Sequence, residues 1–209
     1  MHYERFPLGS LWTNGYLFCG EDGEAFFVDP GGDVDDVLDC TARQNLTLKA
    51  VLLTHGHLDH IAGIERLLPL VRDEIYIADG DAALLRHPPE ELQRALGMRS
   101  NGAEAFKTVE DKSVLSLGGF RIEVMATPGH TPGSVCYLIK DDKESVLVSG
   151  DTLFAQSVGR TDLAGGDEAQ LMDSLRKLAA LPDDLAVLPG HGPGTTIGRE
   201  RRSNPFWPR

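Results

Sequence analysis

Cysteine is scarce in this sequence, and its three cysteines, Cys19, Cys40 and Cys136, are scattered without C-x-x-C spacing. An odd number of distant cysteines does not suit the disulfide framework of a small secreted domain. It is typical of reduced thiols in the cytoplasm. We assign no catalytic or metal-binding role to any of the three.

Long apolar runs are also absent. No stretch approaches the roughly 20 residues that a membrane-spanning helix needs. The first five residues, M-H-Y-E-R, lack the basic start and the apolar core of a signal peptide. We therefore expect a cytoplasmic protein that neither crosses a membrane nor is exported.

Basic residues are outnumbered: 20 lysines and arginines stand against 32 aspartates and glutamates, which gives a formal net charge of -12. Nucleic-acid phosphates require a basic footprint, so this balance argues against a nucleic-acid partner. It is compatible with an anionic small molecule, because bound divalent cations would set the field in a local site. The length and the lack of any linker-like segment predict a single domain over residues 1–209.

Histidine, in contrast, is concentrated in residues 54–60, T-H-G-H-L-D-H. The ligand-type side chains of this motif are His55, His57, Asp59 and His60. The apolar run at 49–53 predicts a buried strand before it, and apolar residues at helical spacing over 61–68 predict a helix after it. Open α/β sheets place their ligand sites at such strand ends. Each polar group buried without a partner costs about 1 to 3 kcal/mol, so packing alone does not explain the cluster, and we predict metal binding.

Three more ligand-type residues, His130, Asp151 and His191, each follow an apolar run and lie in a glycine-rich turn. Each of these signals is weak alone. Together with the first motif they supply about the number of ligands that two ions sharing a carboxylate and a water require. The sequence therefore predicts a dinuclear metal site at neighbouring strand ends.

The remaining pattern predicts a mixed α/β chain. Strands are predicted within residues 8–29, 74–78, 113–126, 134–148 and 185–188, and the longer helices at 33–45 and 167–181. Asp29 ends the first group of strands, and we interpret it with equal weight as a turn former and as a support for metal ligands. Residues 86–112 are the least periodic part, and we predict a flap over the site there.

Four motifs resemble the metal-binding motifs of metallo-β-lactamase-fold hydrolases: T-H-G-H-L-D-H, T-P-G-H-T-P-G, S-G-D-T-L-F and L-P-G-H-G-P. Two further segments, V-G-R-T-D-L-A-G-G-D and T-T-I-G-R-E-R-R-S-N-P-F, resemble the short glyoxalase II type, hydroxyacylglutathione hydrolase. The resemblance implies an αββα sandwich, in which two mixed β-sheets lie face to face with helices on the outer faces. It implies that one metal is bound by His55, His57 and His130. It also implies that a second metal is bound by Asp59, His60 and His191, with Asp151 bridging the two.

The chain departs from longer glyoxalase II enzymes in having only 18 residues after His191, where those enzymes continue into a helical domain with glutathione contacts. We therefore expect S-lactoylglutathione to be accepted only at high KM. Arg160 is the basic residue that we favour for a substrate carboxylate. A salt bridge from Arg160 to Asp162 or Asp167 is an equally weighted alternative.

The chemistry implied is thioester hydrolysis by a hydroxide that bridges two divalent ions, with Asp59 holding the hydroxide in line with the carbonyl. Zinc is the first choice of metal, and iron and manganese suit the same ligands. One alternative is an iron-dependent persulfide dioxygenase, which resembles the chain in the G-R-T-D loop but uses one metal. The other is a hydrolase of a different ester or of a phosphodiester. No oligomeric state is predicted.

Overall fold

The protein is described here by a computed structural model of residues 1–72 and 74–208; Asp73 and Arg209 of the predicted domain lie outside the described residues. Within those ranges the strands are β1 (Tyr3–Leu8), β2 (Thr13–Cys19), β3 (Glu24–Val28), β4 (Thr47–Leu52), β5 (Glu74–Ala78), β6 (Lys107–Val109), β7 (Val114–Leu117), β8 (Phe120–Ala126), β9 (Val135–Lys140), β10 (Ser145–Gly150), β11 (Leu153–Phe154), β12 (Ser157–Val158), β13 (Ala186–Pro189) and β14 (Thr195–Thr196). The helices are α1 (Asp35–Arg43), α2 (Leu58–Ile61), α3 (Ile64–Leu67), α4 (Ala82–Arg86), α5 (Glu90–Leu96), α6 (Glu168–Leu178) and α7 (Ile197–Ser203).

The described strands form two mixed sheets and a small ribbon. The first sheet has the order β1-β2-β3-β4-β5-β6, antiparallel as far as β3 and parallel beyond it. The second has the order β14-β13-β10-β9-β8-β7, in which only β10 and β13 run parallel. Strands β11 and β12 form a separate hairpin directly after β10. Both sheets thus contain parallel strands, whose carboxyl ends lie at the same edge of the sheet.

Alternation along the strands explains how the sheets pack. On β2 and β3, Tyr16, Phe18 and Phe26 point to one face, and on β9 Tyr137 does the same. These side chains form one apolar cluster between the two sheets, in which the rings of Phe18 and Phe26 stack at a centroid distance of 5.0 Å. Because successive side chains point to opposite faces, the intervening residues must be covered from outside.

Helices supply that cover on both outer faces. Val37 of α1 and Ile64 of α3 pack in a second cluster with Leu17 and Phe27 from the first sheet. On the other side, helix α6 packs in a third cluster with the second sheet, through Leu171, Leu175 and Leu178. The predicted αββα sandwich is therefore confirmed. No helix in the described ranges is long and apolar enough to cross a bilayer.

Three local features differ from the sequence prediction. The helix predicted at 61–68 is two short helices, and the first begins at Leu58, inside the histidine motif. They are separated at Gly63, whose backbone amide donates to the Pro30 carbonyl at 2.7 Å instead of continuing the helix. Glycine is required there because a Cβ atom would lie 2.2 Å from the Gly32 carbonyl oxygen. The first strand is β1, at residues 3–8, whereas the predicted run at 8–12 forms a turn. Strand β1 was missed because it lies at the sheet edge, where half-buried residues give a weaker periodic signal than those of a core strand.

The segment predicted as a flap contains regular structure. Helix α5 lies within it, and β6 is added to the edge of the first sheet by parallel pairing with β5. Two hydrogen bonds hold its loop against the rest of the protein. The side-chain amide of Asn101 donates to the Glu65 carboxylate, and the backbone amide of Ala103 donates to the Leu85 carbonyl. A flap role for residues 86–112 stays a prediction.

Candidate metal centre

The structure brings all seven predicted ligand residues to one end of the sandwich. Each lies just after a strand: the histidine motif follows β4, His130 lies between β8 and β9, Asp151 follows β10 and His191 follows β13. Strand β4 belongs to the first sheet and the other strands to the second. The two sheets therefore approach the same position from opposite sides. We refer to these seven residues as the metal centre.

Three subsets of the centre have ligand atoms within 4.8 Å of one another. The first ligand group is His55, His57 and His130. The second ligand group is Asp59, His60 and His191. The third subset, His55, His60 and Asp151, joins one residue of each group to Asp151. The family resemblance implied that the first two groups bind separate metals, and that assignment stays a prediction.

Asp151 lies between the two groups. Its Oδ1 atom is 3.3 Å from His60 Nε2, and its Oδ2 atom is 3.6 Å from His130 Nε2 and 3.5 Å from His191 Nε2. The close approach requires glycine at position 190, where a Cβ atom would lie 2.3 Å from Asp151 Oδ1. A carboxylate in this position can contact cations held by either group.

Buried atoms without partners test whether the residues fit a metal. Among the described residues, His55 Nε2, His60 Nε2 and Asp151 Oδ1 have no hydrogen-bond partner, and they belong to the three residues of the joining subset. Each would cost about 1 to 3 kcal/mol if it stayed unpaired. Imidazole nitrogen and carboxylate oxygen are donors for zinc, iron and manganese. The donor set therefore fits divalent metal ions.

Hydrogen bonds on the far side of three rings select the nitrogen that faces the centre. His130 Nδ1 donates to the carbonyl oxygen of Arg160 at 2.7 Å, and His191 Nδ1 donates to the carbonyl oxygen of Leu11 at 3.2 Å. His60 Nδ1 lies 2.9 Å from Asp29 Oδ2. Because these oxygens only accept, the proton is assigned to Nδ1 and the lone pair of Nε2 is left for a metal.

Asp29 extends this control to His55. The Thr54 hydroxyl donates to Asp29 Oδ2 at 2.6 Å, so its oxygen can accept from His55 Nδ1 at 3.1 Å. The Thr54 amide donates to Asp29 Oδ1. The positive φ of 54° at Asp29 turns the carboxylate under the motif. Of the two interpretations left open for Asp29, the structure favours the support of ligand side chains, one from each ligand group.

A second buried aspartate, Asp81, links two ligand-bearing loops. Its Oδ2 atom accepts from the Gly56 amide at 2.8 Å and from the Thr131 hydroxyl at 2.7 Å, and its Oδ1 atom accepts from the Gly133 amide at 2.8 Å. Gly56 lies between His55 and His57, and Thr131 follows His130. Asp81 thus fixes the first ligand group across the two sheets.

The first β-hairpin supports the second ligand group. The Thr13 hydroxyl donates to Asp59 Oδ2 at 3.1 Å, and His191 Nε2 lies 3.2 Å from the same oxygen. The side-chain amide of Asn14 and the Tyr16 hydroxyl donate to the Pro189 carbonyl at 2.9 and 2.8 Å. The loop that carries His191 is therefore held by strand β2.

Burial keeps two ligand histidines neutral. It lowers the pKa of His57 to about 4, with His130 adding to the effect. Burial, followed by the neighbouring His60, also lowers the pKa of His55 well below its usual value. A neutral imidazole has a lone pair for a metal at neutral pH.

Carboxylates give the other half of the centre the opposite bias. Burial opposes protonation of His60, yet Asp151 and Asp29 outweigh it and raise its pKa. Burial opposes ionisation of Asp59, yet His60, His191 and His57 together outweigh it and lower the pKa of this carboxyl. In the second ligand group the surroundings therefore favour a positive charge next to ionised carboxylates.

The Arg160 side chain lies outside this arrangement. Its guanidinium makes a two-pronged salt bridge with Asp162, at 2.7 and 2.8 Å, and is 61% exposed. Of the two salt bridges considered from sequence, the one to Asp162 is present. The substrate role of Arg160 stays a prediction, whereas its backbone carbonyl orients His130.

Comparison with known families matches residues 12–191 to the metallo-beta-lactamase superfamily. The chain belongs to this superfamily. Within it, the chain is 36% identical over 212 residues to the hydroxyacylglutathione hydrolase GloC of Haemophilus influenzae, covering 99% of this chain and 98% of that protein. The superfamily assignment identifies the chain as a metal-binding hydrolase.

Solved structures of the metallo-β-lactamase superfamily agree on the fold. The BLEG-1 B3 metallo-beta-lactamase superposes with a TM-score of 0.90 at 40% identity, covering 98% of this chain and 99% of that one. TTHA1623, in a di-iron-bound form, superposes with a TM-score of 0.86 at 35% identity, covering 97% and 99%.

Most of the residues that orient the candidate ligands could not be predicted from the sequence. Thr13 and Asp81 belong to no motif, and Asp81 follows the strand β5 without a glycine-rich turn signal of the kind that marked the candidate ligands. Thr54 opens the histidine motif but is not a ligand-type residue. A polar residue directly after a predicted buried strand was the one available signal for Thr54 and Asp29. Thr13 is defined only by a contact over 46 positions of sequence, and Asp81 only by contacts over 25, 50 and 52 positions.

Proposed function

We propose that the protein is a thioesterase of the glyoxalase II type, which hydrolyses anionic thioesters such as S-lactoylglutathione with two divalent metal ions. Zinc is the proposed metal, although the same imidazole and carboxylate donors also suit iron and manganese. The observation that carries the proposal is the position of Asp151 between two complete ligand groups.

Bound divalent ions supply a nucleophile at neutral pH, because they lower the pKa of water to about 7, and they polarise a carbonyl oxygen. The chain's own residues then position the reactants. Asp59 is ionised, and its Oδ2 atom is held by Thr13 and His191. An ionised carboxylate accepts a hydrogen bond from the attacking water and so holds it in line with the carbonyl carbon.

The leaving group favours a thioester. A thiolate leaves without a proton, whereas the nitrogen of an amide or β-lactam requires one. His130, His60 and His191 each use Nδ1 in a hydrogen bond that faces away from the centre. None of these rings therefore offers a spare proton to a leaving nitrogen while Nε2 binds metal.

Charge supports an anionic substrate. Two ions of charge +2 beside two carboxylates, Asp59 and Asp151, leave a positive site within a protein of net charge -12. The three cysteines are buried free thiols, which supports the proposed cytoplasmic location. We propose no nucleic-acid partner.

The relatives support two activities on this fold. The 36% identity to a hydroxyacylglutathione hydrolase over nearly the whole chain supports the thioesterase. A β-lactamase is the second candidate, because BLEG-1 is named a B3 metallo-beta-lactamase and has 40% identity. The di-iron form of TTHA1623 makes iron the alternative metal.

A substrate panel distinguishes these activities. Protein loaded with zinc, and separately with iron, is assayed against S-lactoylglutathione, an acyl-CoA, nitrocefin and a phosphodiester, with oxygen uptake measured on glutathione persulfide. We expect thioester turnover with high KM for S-lactoylglutathione. The exposed His2→Ala variant serves as the histidine control, and His57→Ala should be inactive. Nitrocefin turnover without thioester turnover would establish the β-lactamase instead, and oxygen consumption without thioester turnover would establish a dioxygenase.

A further inference from the structure

The C-terminal segment around α7 contains a buried carboxylate that the proposed chemistry does not use. Glu200 is completely buried, and its Oε2 atom accepts from the Gln156 amide at 2.7 Å and from the Asn204 side-chain amide at 2.9 Å. Its Oε1 atom accepts from the Thr195 hydroxyl at 2.5 Å. One helix residue thus binds the turn of the β11–β12 hairpin.

Asn204 completes this attachment. Its side-chain amide also donates to the Ser157 carbonyl at 3.0 Å and approaches the Phe154 carbonyl at 3.5 Å. Gln156, at the tip of the hairpin, has a φ of 61°, which a non-glycine residue adopts only where its surroundings enforce it. Glu200 and Asn204 together hold the hairpin in that conformation. We call these two residues the hairpin clamp.

The hairpin leads directly into the metal centre. At Gly159 the backbone packs so tightly that a Cβ atom would lie 1.9 Å from the Asp151 carbonyl oxygen and 3.1 Å from His130 Cβ. The next residue, Arg160, accepts the Nδ1 proton of His130 on its carbonyl oxygen. The position of the hairpin therefore sets which nitrogen of His130 faces the centre.

The second ligand group is oriented by other parts of the chain. His60 is held by Asp29, and His191 by the Leu11 carbonyl. The hairpin touches this group through the edge of the Phe154 ring, 6.1 Å from the His191 ring centroid. A shift of the hairpin should consequently affect the first ligand group more than the second.

We propose that Glu200 and Asn204 are positioning residues that fix His130 as a metal ligand through the β11–β12 hairpin. The C-terminal helix is then a determinant of metal affinity at the first ligand group. The inference rests on the proposed metal-binding role of His130 and is independent of the substrate.

Variants at position 200 separate positioning from fold stability. Glu200→Ala removes both acceptor oxygens, and with them all three hydrogen bonds, and leaves the Gln156 amide without its partner. Glu200→Gln retains a carbonyl oxygen for Gln156 and Asn204, while its amide can donate to the Thr195 hydroxyl oxygen. The matched control is Arg201→Ala, because Arg201 ties α7 to Asp183 and to the carbonyls of Ala179 and Leu181, away from the hairpin.

Two measurements read out the effect without enzyme activity: amide hydrogen exchange over residues 153–160, and zinc titration of the metal-free full-length protein by calorimetry. Glu200→Ala should accelerate exchange in the hairpin and weaken zinc binding about 10- to 100-fold, the usual effect of losing an outer partner of a ligand. Glu200→Gln should stay close to the parent in both measurements. Arg201→Ala should lower the unfolding temperature and leave zinc affinity unchanged.

Single-group backgrounds locate the effect. In a His191→Ala background, where the first ligand group is intact, Glu200→Ala should weaken zinc binding. In a His57→Ala background it should have little effect. Equal losses in both backgrounds, or equal losses from Glu200→Ala and Arg201→Ala, would overturn the clamp while leaving the proposed function standing. A parent protein that binds neither zinc nor iron would overturn both. If Glu200→Ala does not fold, Asn204→Ala carries the same expectations.

Discussion

At the scale of single residues, each ligand is defined by what it touches on the side away from the metal. His130, His60 and His191 have the same ring, yet a backbone carbonyl, a carboxylate and another backbone carbonyl fix their protons. The residue type at a ligand position could be predicted from the motif spacing. The partners that make the same nitrogen available in all three could not, because they lie in other segments of the chain.

Asp151 and His191 should differ when each is replaced. Asp151 approaches histidines of both ligand groups, whereas His191 belongs to one. Asp151→Ala should therefore lower occupancy at both metal positions, and His191→Ala mainly at one. At each affected position the metal affinity should fall further than it does when an outer partner is removed, which costs about 10- to 100-fold.

Metal content after dialysis against limiting zinc measures the difference. The exposed His87→Ala variant should retain the parent stoichiometry. Loss of a single ion to the same extent in the Asp151 and His191 variants would refute the bridging position of Asp151. A parent stoichiometry of one that persists in excess zinc would refute the dinuclear centre itself.

At the scale of elements, the strand ends were the most predictable feature. Apolar runs followed by glycine-rich turns marked the ends of β4, β10 and β13, and the ligands lie there in the structure. One helix was predicted over residues 61–68, because the apolar spacing continues across Gly63. In the structure the helical hydrogen bonds are interrupted there, and α2 and α3 are separate. The pattern records which side chains are buried, and the interruption comes from a neighbouring loop.

Asp81 shows how one carboxylate joins elements of the two sheets, and its replacement should measure that link. In Asp81→Asn, the new amide group faces a donor in either orientation, since Gly56 and Thr131 donate to one oxygen and Gly133 to the other. A buried donor left without an acceptor costs about 1 to 3 kcal/mol. Urea unfolding of the metal-free protein should show a loss of stability of this size.

The control for this prediction is Asp79→Asn, an exposed aspartate in the same turn, which should change stability by less than about 0.5 kcal/mol. A similar effect from the two variants would mean that the turn, and not the hydrogen bonds of Asp81, is responsible. Because Asp81 fixes the first ligand group, Asp81→Asn should also reduce zinc affinity in a His191→Ala background.

At the scale of the whole molecule, the residue pattern predicted a mixed α/β chain, and only the family resemblance implied the αββα sandwich. The structure shows its layers in the buried side chains of β2, β3 and β9 and in the apolar faces of α1 and α6. Sheet order and the position of β1 could not be inferred from the pattern, because edge strands have half-buried patterns and pair with partners chosen by the fold. The C-terminal segment was predicted only as a resemblance. In the structure, Glu200 and Asn204 of that segment contact the β11–β12 hairpin, which gives the segment a structural role.

Metal removal should test how far the fold depends on its centre. The cluster gathers buried imidazole and carboxylate atoms that lack hydrogen-bond partners among the described residues, so ions that satisfy them should stabilise the native state. An ion present at a thousand times its dissociation constant contributes about 4 kcal/mol. For a protein of this size each kcal/mol shifts the unfolding temperature by about 2 to 4 °C. Calorimetric scans with zinc and with excess chelator should therefore differ by about 8 to 16 °C for one tightly bound ion and by more for two.

Three variants test whether this difference comes from the metal centre. His57→Ala should lose part of the difference, Asp151→Ala most of it and His87→Ala none. Equal unfolding temperatures with zinc and with chelator would exclude a metal centre coupled to folding.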